Sequence, residues 1–309
     1  KQDLYCDGSP ELVSASLELD NVALLTGGGD RHYAFGLASS LAAKGMTVDF
    51  IAGDDLDTAD IHAIPRLRFY RFRRNGESNA GFLAKAVRTL AYYLRLFHYA
   101  ATCKPKVFHI LWNNKFEHFD RTLLMLYYRL LGKKVLLTAH NINAGDRDGT
   151  DSWLNRLTLK TQYRLAHHIF VHTESMRQAL LREYGLRQEA ITVIRYGLNN
   201  AVPTTPLSRE AARRRLGLSP DNKVLLFFGN IAAYKGLEYL LGAFERLAAQ
   251  GDEYRLIVAG RAKQAGDAYI AEVRDHLERP VVKSQTILKM EFIPDEDIEI
   301  YFKACDVTV

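Results

Sequence analysis

The chain is poor in cysteine and proline and has no long apolar run. Its three cysteines, Cys6, Cys103 and Cys305, are odd in number and far apart. They form no metal or redox spacing, so a reducing compartment is expected. No apolar run approaches the ~20 residues that a membrane-spanning helix requires, and no signal peptide is visible. There is no H-E-x-x-H, and no Tyr-x-x-x-Lys pair of the kind short-chain reductases share. Neither charge sign dominates strongly: the formal net charge is +5. That is not the footprint of a dedicated nucleic-acid binder, and no nucleic-acid partner is expected. It suits acidic ligands or an anionic membrane surface. Short repeats and low-complexity tracts are absent. The chain opens on Lys1 rather than Met, which leads us to expect an incomplete N-terminus.

What is present is the grammar of an α/β protein. A length of 309 residues supports two domains, and 48% apolar with 25% charged residues is ordinary for a globular chain. After a loosely structured lead-in over residues 1–20, Asn21–Thr26 reads as a strand. Gly27-Gly28-Gly29-Asp30 follows, then a helix over Tyr33–Lys44 closed by Gly45, then a strand over Thr47–Ala52. This is a βαβ unit, the start of a parallel sheet. Three glycines let the backbone approach a ligand, and equally suit a tight turn. A dinucleotide fingerprint with Asp54 or Asp55 as ribose ligand fits poorly. His32 stands where the third glycine of G-x-G-x-x-G belongs. Further strands are expected over Val107–Leu111 and Lys134–Thr138, and helices over Arg121–Leu131 and Trp153–Ala166. His140 lies just past the carboxyl end of a strand, where open α/β sheets bind ligands, with Asn141 and Asn143 behind it. Thr173 is placed to cap the next helix, with Glu174 in its first turn. His167, His168 and His172 resemble a metal cluster only in sequence. Adjacent strand residues point to opposite faces, so no metal site is expected.

Two segments point to surfaces and boundaries. Arg66, Arg68, Arg71, Arg73 and Arg74 fall in a stretch without acids. Leu83, Ala86, Val87, Leu90, Leu94 and Phe97 then recur at helical spacing. An arginine-rich strand beside a basic amphipathic helix could lie on an anionic bilayer, or the helix could simply pack on the core. Arg195–Pro206 is rich in Gly, Asn and Pro and marks a linker, dividing the chain into residues 1–198 and 199–309. Beyond it a second doubly wound unit is expected. It comprises a helix capped by Ser208, the strand Val224–Phe228 with Gly229, a helix from Gly236, and the strand Arg255–Ala259 with Gly260-Arg261. A helix over Asp267–Leu277, a strand over Thr286–Phe292, a helix over Asp295–Lys303 and a strand from Asp306 complete it. Lys235 beside a helix start makes a site for a phosphate-bearing ligand. The chain stops at Val309 inside a strand, so the second domain is expected to be incomplete.

Taken in order, LLTGGGDRHYAFGLA, LTAHNINAGDRD, FVHTESMRQALL, VIRYGLNN, FFGNIAAYKGLEYLL, LIVAGRA and FIPDEDIEIYFKACDV resemble the retaining family 4 glycosyltransferases. The resemblance runs from Asn21 to Val309. It implies the GT-B fold: two Rossmann-like, doubly wound parallel-sheet domains facing across a cleft. The N-terminal domain would hold most of the acceptor and the C-terminal one a nucleotide-diphosphate sugar. Gly28 and Gly29 match the loop that approaches the donor phosphates, and His140 the histidine that contacts the donor sugar. Gly229 and Lys235 match the diphosphate site, which places His140 and Lys235 in the catalytic role. Asn230 stands where many relatives carry arginine, and Arg261 after Gly260 is a candidate for the missing charge. Ile293 and Pro294 match the segment against the nucleotide base. Asp30, Arg31, Asn141 and Asn143 fall on the acceptor side. A further glutamate-bearing motif of the family falls beyond Val309.

The implied activity is transfer with retention from a UDP- or GDP-type sugar to a glycan or lipid-linked acceptor. It implies no cofactor besides that co-substrate. Bacterial surface polysaccharide synthesis, in the cytoplasm or peripherally on the inner face of the membrane, is the expected setting. A non-catalytic nucleotide-binding module and a GT-B sugar-nucleotide epimerase are the alternatives. Asp55-Leu56-Asp57 has the D-x-D form of metal-dependent glycosyltransferases, but a solvated turn is the better expectation.

Overall fold

A computed structural model describes residues 21–73, 81–197, 204–262 and 268–309. The lead-in, Arg74, part of the linker and Asp267 lie outside these residues. The chain divides into two compact units, Lys1–Leu198 and Asn199–Val309.

The N-terminal unit runs β1 (Asn21–Leu25), α1 (Arg31–Ala43), β2 (Thr47–Gly53), a short α2 (Ala59–His62), β3 (Leu67–Arg73) and α3 (Phe82–Thr102). Next come β4 (Val107–Ile110) and a helix α4 built of Glu117–Phe119, a π-helical Asp120–Leu124 and Met125–Leu130. The unit closes with β5 (Lys134–Thr138), a short α5 (Ala144–Arg147), α6 (Trp153–Leu165), β6 (His168–Val171), α7 (Glu174–Tyr184) and β7 (Ile191–Val193). The sheet order is β3-β2-β1-β4-β5-β6-β7, and every pairing is parallel. β1, β2 and β4 are apolar almost throughout and buried, as strands covered on both faces must be. One face packs Leu96, Tyr99, Phe108 and Tyr128, beneath the helices that follow β3 and β4. The other packs Ala34, Ala38, Phe50 and Ile61 under α1 and α2. Small residues on α1 let it lie close to the sheet. Its N-terminus is capped by Asp30, whose side chain accepts from the His32 and Tyr33 amides. Ser152 and Thr173 cap α6 and α7, and Gly185 ends α7 in the left-handed conformation.

The C-terminal unit runs α8 (Arg209–Arg215), β8 (Lys223–Phe228), α9 (Leu237–Ala248), β9 (Tyr254–Ala259), α10 (Ala268–Leu277), α11 (Pro280–Ser284), β10 (Thr286–Lys289), α12 (Asp295–Ala304) and β11 (Val307–Thr308). Its order is β10-β9-β8-β11, again parallel. Leu237, Leu241 and Phe244 of α9 are fully buried on one face, and Ala212, Tyr301 and Ala304 fill the other. The strand expected to reach Phe292 ends at Lys289. β10 is an edge strand there, and Phe292 is exposed. The start of β11 is pinned by Asp306, which accepts from Arg213 at 2.8 Å and from the Val224 amide at 2.7 Å.

Several sequence expectations change. α3 does not pack its Leu83–Leu90–Leu94 stripe on the core. The buried face is Tyr93, Leu96, Tyr99 and Ala100, and the stripe faces out. The arginines of β3 are not an open basic strand either. Arg68 pairs with Asp49 at 2.7 Å, Arg71 with Asp54 and Asp57, and Arg73 with Asp55. Asp55 and Asp57 therefore serve as counter-ions to a neighbouring strand rather than as a solvated turn. Among the described residues no group of three or more His, Cys, Asp or Glu side chains converges on a metal position.

His109, in the middle of β4, is buried and bonded through Nε2 to the Thr138 hydroxyl at 2.8 Å. Burial pushes its pKa down to about 4. The unfolded chain therefore binds a proton below pH ~6.5 that the folded chain refuses, so this contribution is complete above ~6.5 and lost as pH falls toward 4. In urea titrations, His109→Gln is expected to flatten the pH dependence of unfolding between about pH 6.5 and 4, by up to ~3 kcal/mol at the acid end. An unchanged slope would remove His109 from the acid response.

Candidate functional site

In the N-terminal sheet the strand order reverses between β1 and β4, and the crevice at such a switch point is where open α/β sheets take ligands. The turn after β1 and the segment after β4 meet there. Gly27 and Gly28 adopt φ of 57° and 86°. A Cβ on Gly27 would lie 2.0 Å from the Trp112 carbonyl oxygen, on Gly28 1.6 Å from Arg73 Nη1, and on Gly29 1.9 Å from the Trp112 ring. Gly27 and Gly29 are thus required by close packing against Trp112, and Gly28 by its positive φ, since the Arg73 guanidinium tip can move aside. Arg73 also donates to the Gly27 carbonyl at 3.1 Å, bringing a guanidinium to the loop.

His140 follows β5 by two residues and stacks on Trp112, with ring centroids 4.0 Å apart and planes 3° from parallel. Tyr33 meets it edge-on at 4.7 Å. Its Nδ1 lies 2.9 Å from Nε2 of His172, whose own Nδ1 lies 3.1 Å from the Ile194 carbonyl oxygen. A carbonyl only accepts, so His172 carries its hydrogen on Nδ1. In the uncharged pair its Nε2 then accepts from His140 Nδ1–H. His140 Nε2 is left as a bare lone pair, buried and without a hydrogen-bond partner among the described residues. Burial first and His172 second push the His140 pKa down to about 3, against a smaller upward pull from Asp30. The ring is held neutral and presents an acceptor.

A small cleft of about 160 Å³ runs from His140 past Asn141, Asn113 and Gln162. Glu117 and Arg121 of α4 also line a larger neighbouring cleft of about 680 Å³, with Lys115, His118 and Thr150. Of the residues expected on the acceptor side, Arg31 is exposed and Asn141 accepts from Arg147 at 3.4 Å. Asp30 and Asn143 are occupied as helix caps. Asp30 also accepts from the Tyr196 hydroxyl at 3.1 Å, and Asn143 from the Asn155 amide at 2.8 Å.

In the C-terminal unit the order reverses between β8 and β11. Gly229 and Gly260 end adjacent strands at φ of 124° and 142°. A Cβ on Gly260 would sit 1.9 Å from the Gly229 carbonyl oxygen, so the two turns touch backbone to backbone. The Ile231 amide donates to the Arg261 carbonyl at 2.9 Å, which draws exposed Asn230 and Arg261 into the same corner. Lys235 ends a 3-10 turn just before Gly236, a left-handed residue that starts α9 without any side-chain cap. The first amides of α9 and an exposed lysine therefore stand together. Ile293 is buried among Leu226, Ile257 and Tyr301, and Pro294 is half-buried at the start of α12.

Residues 27–201 match the model of Glycosyltransferase Family 4, and residues 208–309 that of Glycosyl transferases group 1. The chain belongs to glycosyltransferase family 4. Among curated relatives, a mannosylfructose-phosphate synthase of Agrobacterium fabrum is 28% identical over 48% of this chain and 33% of its own length. A D-inositol 3-phosphate glycosyltransferase of Thermobispora bispora is 26% identical over 55% of this chain and 40% of its own. The matches thus span well under half of those relatives. Among solved structures, Anabaena HepE in complex with UDP and glucose superposes with a TM-score of 0.66 at 19% identity, covering 93% of this chain and 73% of that one. The two parallel sheets are those of the Rossmann-like domains of the GT-B fold.

Within this family 4 chain, the structure collects Gly28, Gly29, Asp30 and His140 in one unit. It collects Gly229, Asn230, Gly260 and Arg261 in the other, with Lys235 on the turn that follows. Trp112, Tyr33 and Tyr196 were not singled out from sequence, and His172 was weighed only as a metal ligand. The available signal was that His140 and His172 each fall just past a strand end, and the register that pairs Leu136 with His168 brings them level, each four residues further on. If His172 sets the tautomer, nitrogen-detected NMR will show His140 protonated at Nδ1. The His172→Phe variant will shift it toward Nε2–H. Retention of Nδ1–H in the variant would show that His172 does not set the tautomer.

Proposed function

We propose that this chain is the transferring part of a retaining glycosyltransferase. It moves a hexose from a UDP- or GDP-sugar onto a glycan or lipid-linked acceptor. The observation that carries the reading is the neutral His140, whose buried Nε2 is an unsatisfied acceptor at the switch point of the first sheet. A sugar hydroxyl is the kind of donor that such a nitrogen orients. In the C-terminal unit, the corner formed by Gly229, Gly260, Lys235 and the start of α9 is the anion site of this reading. The complex of HepE with UDP and glucose supports a nucleotide-sugar donor.

In the proposed step, the bond between the anomeric carbon and the diphosphate oxygen breaks. The acceptor oxygen bonds to the same face of the sugar, and its proton passes to the departing diphosphate. Negative charge grows on that diphosphate, and Lys235 with the first amides of α9 are the donors this reading assigns to it. This route has no need of the paired carboxylates of a glycosidase. The names of the two curated relatives favour a phosphorylated sugar or polyol as a second acceptor class. Lys115 and His118 in the larger N-terminal cleft suit a charged acceptor. A lipid-linked acceptor would set the work in surface polysaccharide assembly on the cytoplasmic face of a bacterial membrane.

The test is a panel of UDP- and GDP-sugars with glycan, lipid-linked and sugar-phosphate acceptors. Lys235→Ala is expected to weaken UDP or GDP binding about tenfold or more. His140→Ala is expected to lower transfer by about tenfold or more with nucleotide affinity nearly unchanged. Nucleotide binding without turnover would favour the binding module, and conversion of a donor alone to its epimer would favour the epimerase. Unchanged affinity in the lysine variant would displace the anion site from α9.

A further inference from the structure

The N-terminal unit holds a further cleft, of about 430 Å³, away from His140 and the glycine turn. Those two follow the carboxyl ends of their strands. This cleft lies toward the amino ends, where its lining includes the third residue of β2, the second of β3 and the turn that enters β4. One wall is β3. Arg68, Tyr70 and Phe72 alternate along that strand and so share the face that meets α3. The other wall is α3, where Arg95, His98 and Tyr99 fall on one stripe. β3 is the edge of the sheet, so no further strand closes the gap. The floor is Asp49 of β2, only 2% exposed.

Asp49 is already satisfied. It accepts from Arg68 Nε at 2.7 Å and from the Tyr99 hydroxyl at 2.7 Å. It is also the one carboxylate in the lining, since β3, α3 and the residues from Cys103 to Lys106 contain no acid. The negative end of α3 points the same way, and Lys133 covers it by donating to the Cys103 and Pro105 carbonyls at 3.2 and 3.0 Å. Two cations are then left over. Arg95 spends one donor on the Phe72 carbonyl at 3.1 Å and keeps the rest. Lys104 is exposed and has no partner among the described residues. Beside these cations stands an aromatic wall, in which the Tyr99 centroid lies 5.2 Å from that of Tyr70 and 5.7 Å from that of Phe72. A flat ring stacks on such a wall, and a phosphate is what a guanidinium and an ammonium recognise together. An inorganic anion would leave the rings unused, and a neutral sugar would leave the cations unused. The volume is ordinary for a small-molecule site.

We propose that the cleft between β3 and α3 is a second ligand site, which takes a nucleoside monophosphate. Tyr70 and Phe72 receive the base, and Arg95 and Lys104 receive the phosphate. Arg68 takes no direct part, because Asp49 already holds its guanidinium. The site stands independently of the donor reading, and its test needs no activity.

The test is titration of the 309-residue chain with AMP and with UMP, inorganic phosphate serving as the control. The readout is the His98 Cε1–H resonance, assigned with His98→Gln, because His98 lines this cleft. At least one nucleotide is expected to shift it saturably below ~1 mM, with phosphate alone about tenfold weaker or more. Tyr70→Ala and Arg95→Gln should each weaken the nucleotide about tenfold, and Tyr70→Phe should bind like the parent chain. The response should survive Lys235→Ala, which disables the anion site of the donor reading. These side chains reach the surface, and circular dichroism will verify that the variants fold. No saturation with either nucleotide, phosphate bound as tightly as the nucleotide, or affinity untouched by both Tyr70→Ala and Arg95→Gln would each overturn the proposal.

Discussion

In the N-terminal unit everything near the candidate site depends on β1 pairing with β2 on one side and β4 on the other. Leu25 aligns with Ile110, which carries Gly27 toward Trp112 in the segments that follow. The resulting contact is so close that a side chain on Gly27 or Gly29 would collide with Trp112. Trp112 in turn is the platform on which His140 lies. The same constraint recurs in the C-terminal unit, where β8 pairs with β9 and β11 and Gly229 and Gly260 are pressed backbone to backbone. Parallel pairing places these loops at the carboxyl ends of the strands, and glycine is the residue that tolerates both the proximity and the positive φ.

Low polarisability inside the sheet decides how the histidines behave. His109 and His140 are both held neutral by burial. For His109 this is structural, since its ring nitrogen meets the Thr138 hydroxyl. For His140 one nitrogen is claimed by His172 and the other by nothing among the described residues, and that asymmetry separates a candidate ligand contact from a core residue. Cations divide in a similar way. Those on β3 face aspartates on or next to β2 and are neutralised, whereas α3 carries its cations without an acid of its own.

Much of this was legible in the chain. Apolar runs such as Val135-Leu136-Leu137, closed by Thr138, fit strands buried on both faces, and Thr173 and Ser208 announce the helices they cap. The position of His140 after a strand end and of Lys235 at a helix start followed from the same local rules. Strand ends were less secure. β10 stops at Lys289 because no outer neighbour extends its pairing, and the residues after it are free to turn away.

By itself, then, the sequence determined the alternation of strands and helices, their caps, and which residues follow the strand ends, because those depend on contacts a few positions apart. Only the tertiary structure decided that His172 orients His140, that Asp49, Asp55 and Asp57 absorb the β3 arginines, and that the Leu83–Leu94 row faces solvent. Each of these rests on the register of elements far apart in the chain. α3 is apolar on two sides, and spacing alone cannot say which side meets the sheet. The sheet selects the side with Tyr93, Leu96 and Tyr99, whose rings and branched chain fill the space above Phe108, and the smaller stripe is left outward.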